Sequence, residues 1–249
     1  MKLRLLSGIC AIAVCAIAAS AASADPNSGP PICNGTWTAV SGTYTSLTIT
    51  GNKYVPAGSA LRVAGNLAVA PGACVDAYTT GTVTVDRNLL VGNGAILGLG
   101  CAPFEDGEFD PCGTTTTNDT VGGSLIGDHP YTIYLSADTI RGNLTRDSGG
   151  PGATFSPYVN YPIKDSVIGG NVSISGWQGA WFGFLRNKVG GNAIFSGIVG
   201  ANPDSNEIAT NTVGRNLICQ SNSPAAQLGD SGGMPNAVAK HKIGQCAGL

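Results

Sequence analysis

The chain reads as an all-β fold, a right-handed parallel β-helix (solenoid) of about seven coils with disulfide-tied ends. Three observations carry that reading. The first is a phrase that returns along the chain: Val63-Ala64-Gly65-Asn66-Leu67, Val85-Asp86-Arg87-Asn88-Leu89, Val121-Gly122-Gly123-Ser124-Leu125, Ile140-Arg141-Gly142-Asn143-Leu144, Ile168-Gly169-Gly170-Asn171-Val172, Val189-Gly190-Gly191-Asn192-Ala193 and Val213-Gly214-Arg215-Asn216-Leu217. Its fourth residue recurs at steps of 22, 36, 19, 28, 21 and 24 residues, a period that means stacked coils, each unable to bury its apolar face alone. The second is composition: charged residues are only 11%, Gly is 37 of 249, and runs of strong helix formers are absent. The third is period-two alternation, as in Leu61 and Val63, Val83 and Val85, or Val172 and Ile174, which is the spacing of short strands.

In chain order, residues 1–24 have the layout of a secretory signal peptide: Lys2 and Arg4, an apolar stretch from Leu5 to Ala19, and Ala22-Ser23-Ala24 as the cleavage site. Ile9 and Val14 stand before Cys10 and Cys15 where a lipobox needs a small residue, so the expected product is secreted and extracellular rather than lipid-anchored. No later run approaches the roughly 20 apolar residues of a membrane span. Without Lys2 and Arg4 the chain keeps 11 basic against 15 acidic residues, a balance that disfavours nucleic acid or an anionic membrane as partner.

Six cysteines follow the leader: Cys33, Cys74, Cys101, Cys112, Cys219 and Cys246. An even number in an exported chain reads as three disulfides, for which 15 connectivities exist on paper. The preferred pairing is Cys33 with Cys74, Cys101 with Cys112, and Cys219 with Cys246; only the middle pair, which closes a short loop, has local support. His129 and His241 stand apart, and no Cys-x-x-Cys pair offers a zinc site.

The remaining organisation is one domain: an N-terminal cap at 25–58, repeats at 59–222 interrupted by the disulfide loop 101–112, and a C-terminal cap at 223–249. Each repeat reads as strand, bend, strand, polar turn, with Gly-Asn at the bend because both tolerate positive φ. Stacked, the first position of the phrase and the residue after the Asn form two columns that are apolar at every coil. The Asn column reads as a ladder bonding the backbone of neighbouring bends. A leucine-rich repeat would need a helical or leucine-bearing return, which these Gly-, Ser- and Thr-rich segments lack.

The repeated phrase, the segment Asn216-Leu217-Ile218-Cys219-Gln220-Ser221-Asn222-Ser223-Pro224-Ala225 and the ending Gly244-Gln245-Cys246 resemble a group of secreted actinobacterial proteins with parallel β-helix repeats. The resemblance implies fold and export, and transfers no catalytic residue.

Four candidate sites stand out. Gly229-Asp230-Ser231-Gly232-Gly233 is similar to the nucleophile loop of chymotrypsin-like proteases, but no His precedes it in that family's setting, so it reads as a loop of the C-terminal cap. Glu105, Asp106, Glu108 and Asp110 crowd the disulfide loop and could hold calcium; apart from calcium no cofactor is expected. Asp128 and Asp147 fall in one column of neighbouring coils, with His129 adjoining and Arg146 in a column otherwise apolar, the pairing that a retaining glycosidase would use. Trp177, Trp181 and Phe182, with Arg186 and Lys188 close by, form the ligand-binding candidate, since flat aromatics beside cations suit an acidic glycan. Trp181 and Phe182 are adjacent on a strand, so one of them faces out. The expected function is an exported non-catalytic protein, structural or polysaccharide-binding at the cell envelope; the alternative is a polysaccharide lyase or glycoside hydrolase. Against the enzyme, seven coils are few and no column of Lys, Arg and Asp recurs as a subsite groove would require.

Overall fold

The computed structural model describes residues 33, 35–101, 116–152 and 159–249. Among them there is no helix, and parallel strands stack into three long sheets, the arrangement of a β-helix. Sheet A holds eight strands from Thr38–Ala39 to Glu207–Ala209, sheet B nine from Gly42–Tyr44 to Ala237–Val238, and sheet C nine from Leu47–Ile49 to Lys242–Gly244. The repeat unit therefore has three strands. The return expected as a polar turn carries the sheet A strand, and the two-strand reading is corrected on that point.

The coils also run past the seven phrases. Tyr44 pairs in register with Val63 and Leu47 with Leu67 at one end, and Val213 with Val238 and Leu217 with Lys242 at the other. Both segments read as caps thus add strands to the ladders, which gives about eight turns in sheet A. The Cys33–Cys74 bridge (Cα–Cα 5.8 Å) lies near the first turn and Cys219–Cys246 (5.1 Å) near the last, the pairing expected. Cys101 is disulfide-bonded as well, while Cys112 lies outside the described residues.

The core is the stack of inward columns. Val63, Val85, Val121, Ile140, Ile168, Val189 and Val213 are all buried, as are Leu67, Leu89, Leu125, Leu144, Val172, Ala193 and Leu217. Sheet A supplies the third wall with Val75, Leu97, Ile133, Tyr161 and Phe182. Below the midpoint the filling becomes aromatic: Tyr161, Trp177, Phe182, Phe184 and Phe195 sit with successive ring centroids 4.9–6.5 Å apart.

The corner between sheets B and C, where the phrase lies, is turned without positive φ. Its glycines answer a different demand: a Cβ on Gly170 or Gly191 would collide with the Asn143 or Asn171 amide of the coil before. Left-handed residues turn the other two corners instead. After sheet C they are His129, Ser148, Gly176, Gly197 and Ser221; after sheet A they are Gly100, Ala137, Asp165, Arg186 and Thr210. At corners such as Ala137, Asp165 and Arg186 a single αL residue re-aims the chain into the next strand, whereas after Asp147 four positive-φ residues follow, Ser148, Gly149, Gly150 and Gly152.

Two side-chain ladders brace the corners. In the outer one, expected from the sequence, the backbone N–H of Asn88, Asn171, Asn192 and Asn216 each donates to the Asn side-chain oxygen of the previous coil at 2.8–3.1 Å. The inner one, between sheets A and B, runs through Asp119, Asp138, Ser166, Asn187, Asn211 and Asn236, all buried. Its polarity is opposite: Ser166, Asn187 and Asn211 donate their N–H groups to the side chain of the next coil at 2.8–3.0 Å.

Candidate functional site

The outer face of sheet C carries the two carboxylates in question. Strands Leu125–Asp128 and Leu144–Asp147 pair in register, so Asp128 stands directly beside Asp147. They line a shallow groove of about 540 Å³ together with Ile126, Thr145, Ser173 and Ser175. His129 Nδ1 lies 2.7 Å from Asp128 Oδ1, and Asp147 Oδ1 accepts from Ser175 Oγ at 2.9 Å. The side chains of Asp128 and His129 are 76% and 51% exposed, so water has free access to both. His129 is also a corner residue, at φ 49° in the column shared with Gly176 and Gly197, which gives it a structural role that needs no substrate.

Arg146 is not part of this groove's working surface. Its side chain points inward at 2% exposure, its guanidinium carbon 4.9 Å from the Tyr161 ring centroid and 5.9 Å from that of Trp177. Nη2 donates to Pro130 O at 3.1 Å, whereas Nε and Nη1 have no partner. Burial pulls its pKa down to about 10, against the pull of Tyr161 and Asp147 in the other direction. The expectation that groups Arg146 with Asp128, Asp147 and His129 is therefore corrected: the core position it occupies in sheet C aims it into the aromatic stack.

The aromatic candidate is also divided. Trp177 and Phe182 are fully buried, Trp177 donating from Nε1 to Tyr131 O at 3.2 Å, so neither can meet a ligand. The reason is register: Phe182 pairs with Tyr161, an inward position, and Trp181 with Asn160, an outward one. Trp181 is half-buried on the outer face of sheet A, its ring lying back over Gly183, where any Cβ would overlap it. Nε1 donates to Glu207 Oε1 at 2.8 Å, and Lys164 Nζ is 5.5 Å from the ring centroid. Arg186 does not reach out for an anion. It forms a two-point ion pair with Asp165 at 2.7 and 3.0 Å. Lys188 is exposed on sheet B.

Two aromatic neighbours on sheet A were missed. Tyr78 and Tyr134 meet edge to face at 6.4 Å on the same outer face as Trp181, and Tyr54 is exposed on that sheet too. The sheet A strands carry no recurring phrase that would set their phase, so these residues could not be aligned from residue types alone. Glu105, Asp106, Glu108 and Asp110 lie outside the described residues. The Gly229–Gly233 loop runs between strands Leu217–Gln220 and Ala237–Val238, with Gly229 against Glu207.

No family model, curated protein or solved structure matches the chain. Among the described residues no helix is long and apolar enough to cross a membrane. The disulfides are compatible with an extracellular protein.

Proposed function

We propose that this chain is an exported, non-catalytic β-helix protein that binds polysaccharide at the cell envelope through the outer face of sheet A. The observation that carries the reading is Trp181. Its indole is laid flat over Gly183, fixed at one edge by Glu207 and faced by Lys164. A ring held in this way presents apolar area at little cost in conformational entropy, which suits the faces of sugar rings. Tyr54, Tyr78 and Tyr134 extend aromatic surface along the same sheet toward the N-terminal coils.

Retention of the purified protein on a panel of immobilised polysaccharides tests this. Trp181→Ala is expected to lower retention on the glycan that wild type binds by about fivefold, a stacked ring being worth on the order of 1 kcal/mol. Asp128→Asn and Asp147→Asn should leave it unchanged. A second reading, polysaccharide cleavage, is favoured by the register that sets Asp128 beside Asp147 at about one strand spacing, roughly 4.8 Å. It predicts new reducing or unsaturated ends in the same assay, lost in Asp147→Asn. Retention without such ends supports the binder.

A further inference from the structure

The last coils bring three carboxylates together that no phrase of the sequence aligns. Asp204 lies in the loop before strand Glu207–Ala209, Glu207 is that strand's first residue, and Asp230 belongs to the irregular segment of the next coil. One oxygen from each lies within 4.8 Å of the others. We propose that Asp204, Glu207 and Asp230 form a binding site for a divalent cation of the calcium class.

An acidic cluster on a surface needs no cation, because water screens it. This one is different at Glu207. Its residue is 0% exposed, Oε1 is committed to Trp181 Nε1, and Oε2 is buried with no hydrogen-bond partner. A lone carboxylate oxygen in that state is costly unless something positive completes it. The chain also closes over it by design of the backbone: Gly229, at φ +70°, packs directly on the Glu207 carboxylate, and a Cβ there would overlap Oε2. No Lys, Arg or His forms an ion pair with any of the three among the described residues. Asp204 is half-buried and Asp230 exposed, so a cation can enter from the Asp230 side.

Calcium suits the donor set better than a transition metal, since all three ligands are hard oxygens and the remaining positions open to water. With three carboxylates and no closed loop, an affinity in the range of extracellular calcium modules, about 0.1–1 mM, is expected.

This site stands apart from the glycan reading, for it binds the ion whether or not a sugar follows. Trp181 makes it measurable. Its indole is bonded to a ligand residue, so terbium bound here should emit on tryptophan excitation, and calcium should displace that emission. The experiment is a terbium titration of the purified mature protein, with calcium calorimetry alongside. Wild type is expected to give saturable emission reversed by millimolar calcium. Asp230→Asn, an exposed substitution, should weaken both terbium and calcium binding at least tenfold, as should Glu207→Gln, which keeps the acceptor for Trp181. Trp181→Phe should lose the emission while calorimetric calcium binding persists. Absence of saturable calcium binding in wild type up to 10 mM, about tenfold above the expected affinity, would overturn the proposal. So would binding left intact by both Asp230→Asn and Glu207→Gln, which would place the ion elsewhere on the chain.

Discussion

Arg146 shows how a single residue can break the pattern of its column and still be accommodated. Val91, Ile174 and Phe195 occupy its place in other coils, and all are buried. The guanidinium is tolerated because Tyr161 and Trp177 offer ring faces and Pro130 a carbonyl. Two of its nitrogens remain unpartnered, so the charge is a net burden on the fold. Arg146→Leu should therefore leave the protein as stable or raise its stability by about 1–3 kcal/mol in urea unfolding. A loss of more than about 1 kcal/mol would mean that the cation–aromatic contacts outweigh desolvation. Residue identities alone could not have settled the neighbouring aromatics. Alternation says that Trp181 and Phe182 face opposite ways, but which one enters the core depends on pairing with Asn160 and Tyr161, a register fixed by the whole sheet.

Among the elements, the corner between sheets B and C was legible and the other two were not, for a physical reason. The first requires residue types: apolar side chains at both edges, an Asn oxygen for the next N–H, and room above it. The others require only a left-handed backbone, which Ala137, Asp165, Arg186 and Thr210 all supply after sheet A without a shared identity. The inner ladder was hidden for the same reason, its rungs being Asp, Ser or Asn. It should nonetheless matter more than the outer one. Asn211→Ala strips the acceptor from Asn187 N–H and the donor from Phe184 O in a buried corner, at an expected cost of about 2–4 kcal/mol. Asn192→Ala removes the acceptor for Asn216 N–H where water can replace it, at roughly 1 kcal/mol. Equal losses in chemical denaturation would contradict the distinction.

At the scale of the whole molecule, the carboxyls among the described residues whose titration the fold shifts all move in one direction. Asp76, Asp119, Asp138, Asp204 and Asp230 lie above the ordinary value, Asp119 at about 6 and Asp138 well above, burial being the largest cause for all but Asp230. A carboxyl with a raised folded pKa binds its proton more tightly in the native state, so stability is lost as pH rises from the unfolded value near 4 through the folded one. In the presence of a chelator, the thermal midpoint should therefore be higher at pH 5 than at pH 7. Asp138→Ser, which places at that rung the residue type found at Ser166, should flatten the slope; a midpoint that falls steadily from pH 7 to pH 5 would contradict the assignment.

Sheet A is where the fold, the aromatic face and the proposed function converge, and it was the part least visible in the sequence. Trp181 fluorescence addresses that convergence directly. Titrating a soluble fragment of whichever glycan retains the protein should produce a saturable change in tryptophan emission, with Trp177 sealed in the core and silent. In Trp181→Phe that change should disappear, although the variant still folds and still unfolds cooperatively. A response that survives in Trp181→Phe, or that is lost instead in Asp147→Asn, would contradict glycan binding on sheet A and return the Asp128–Asp147 groove to first place.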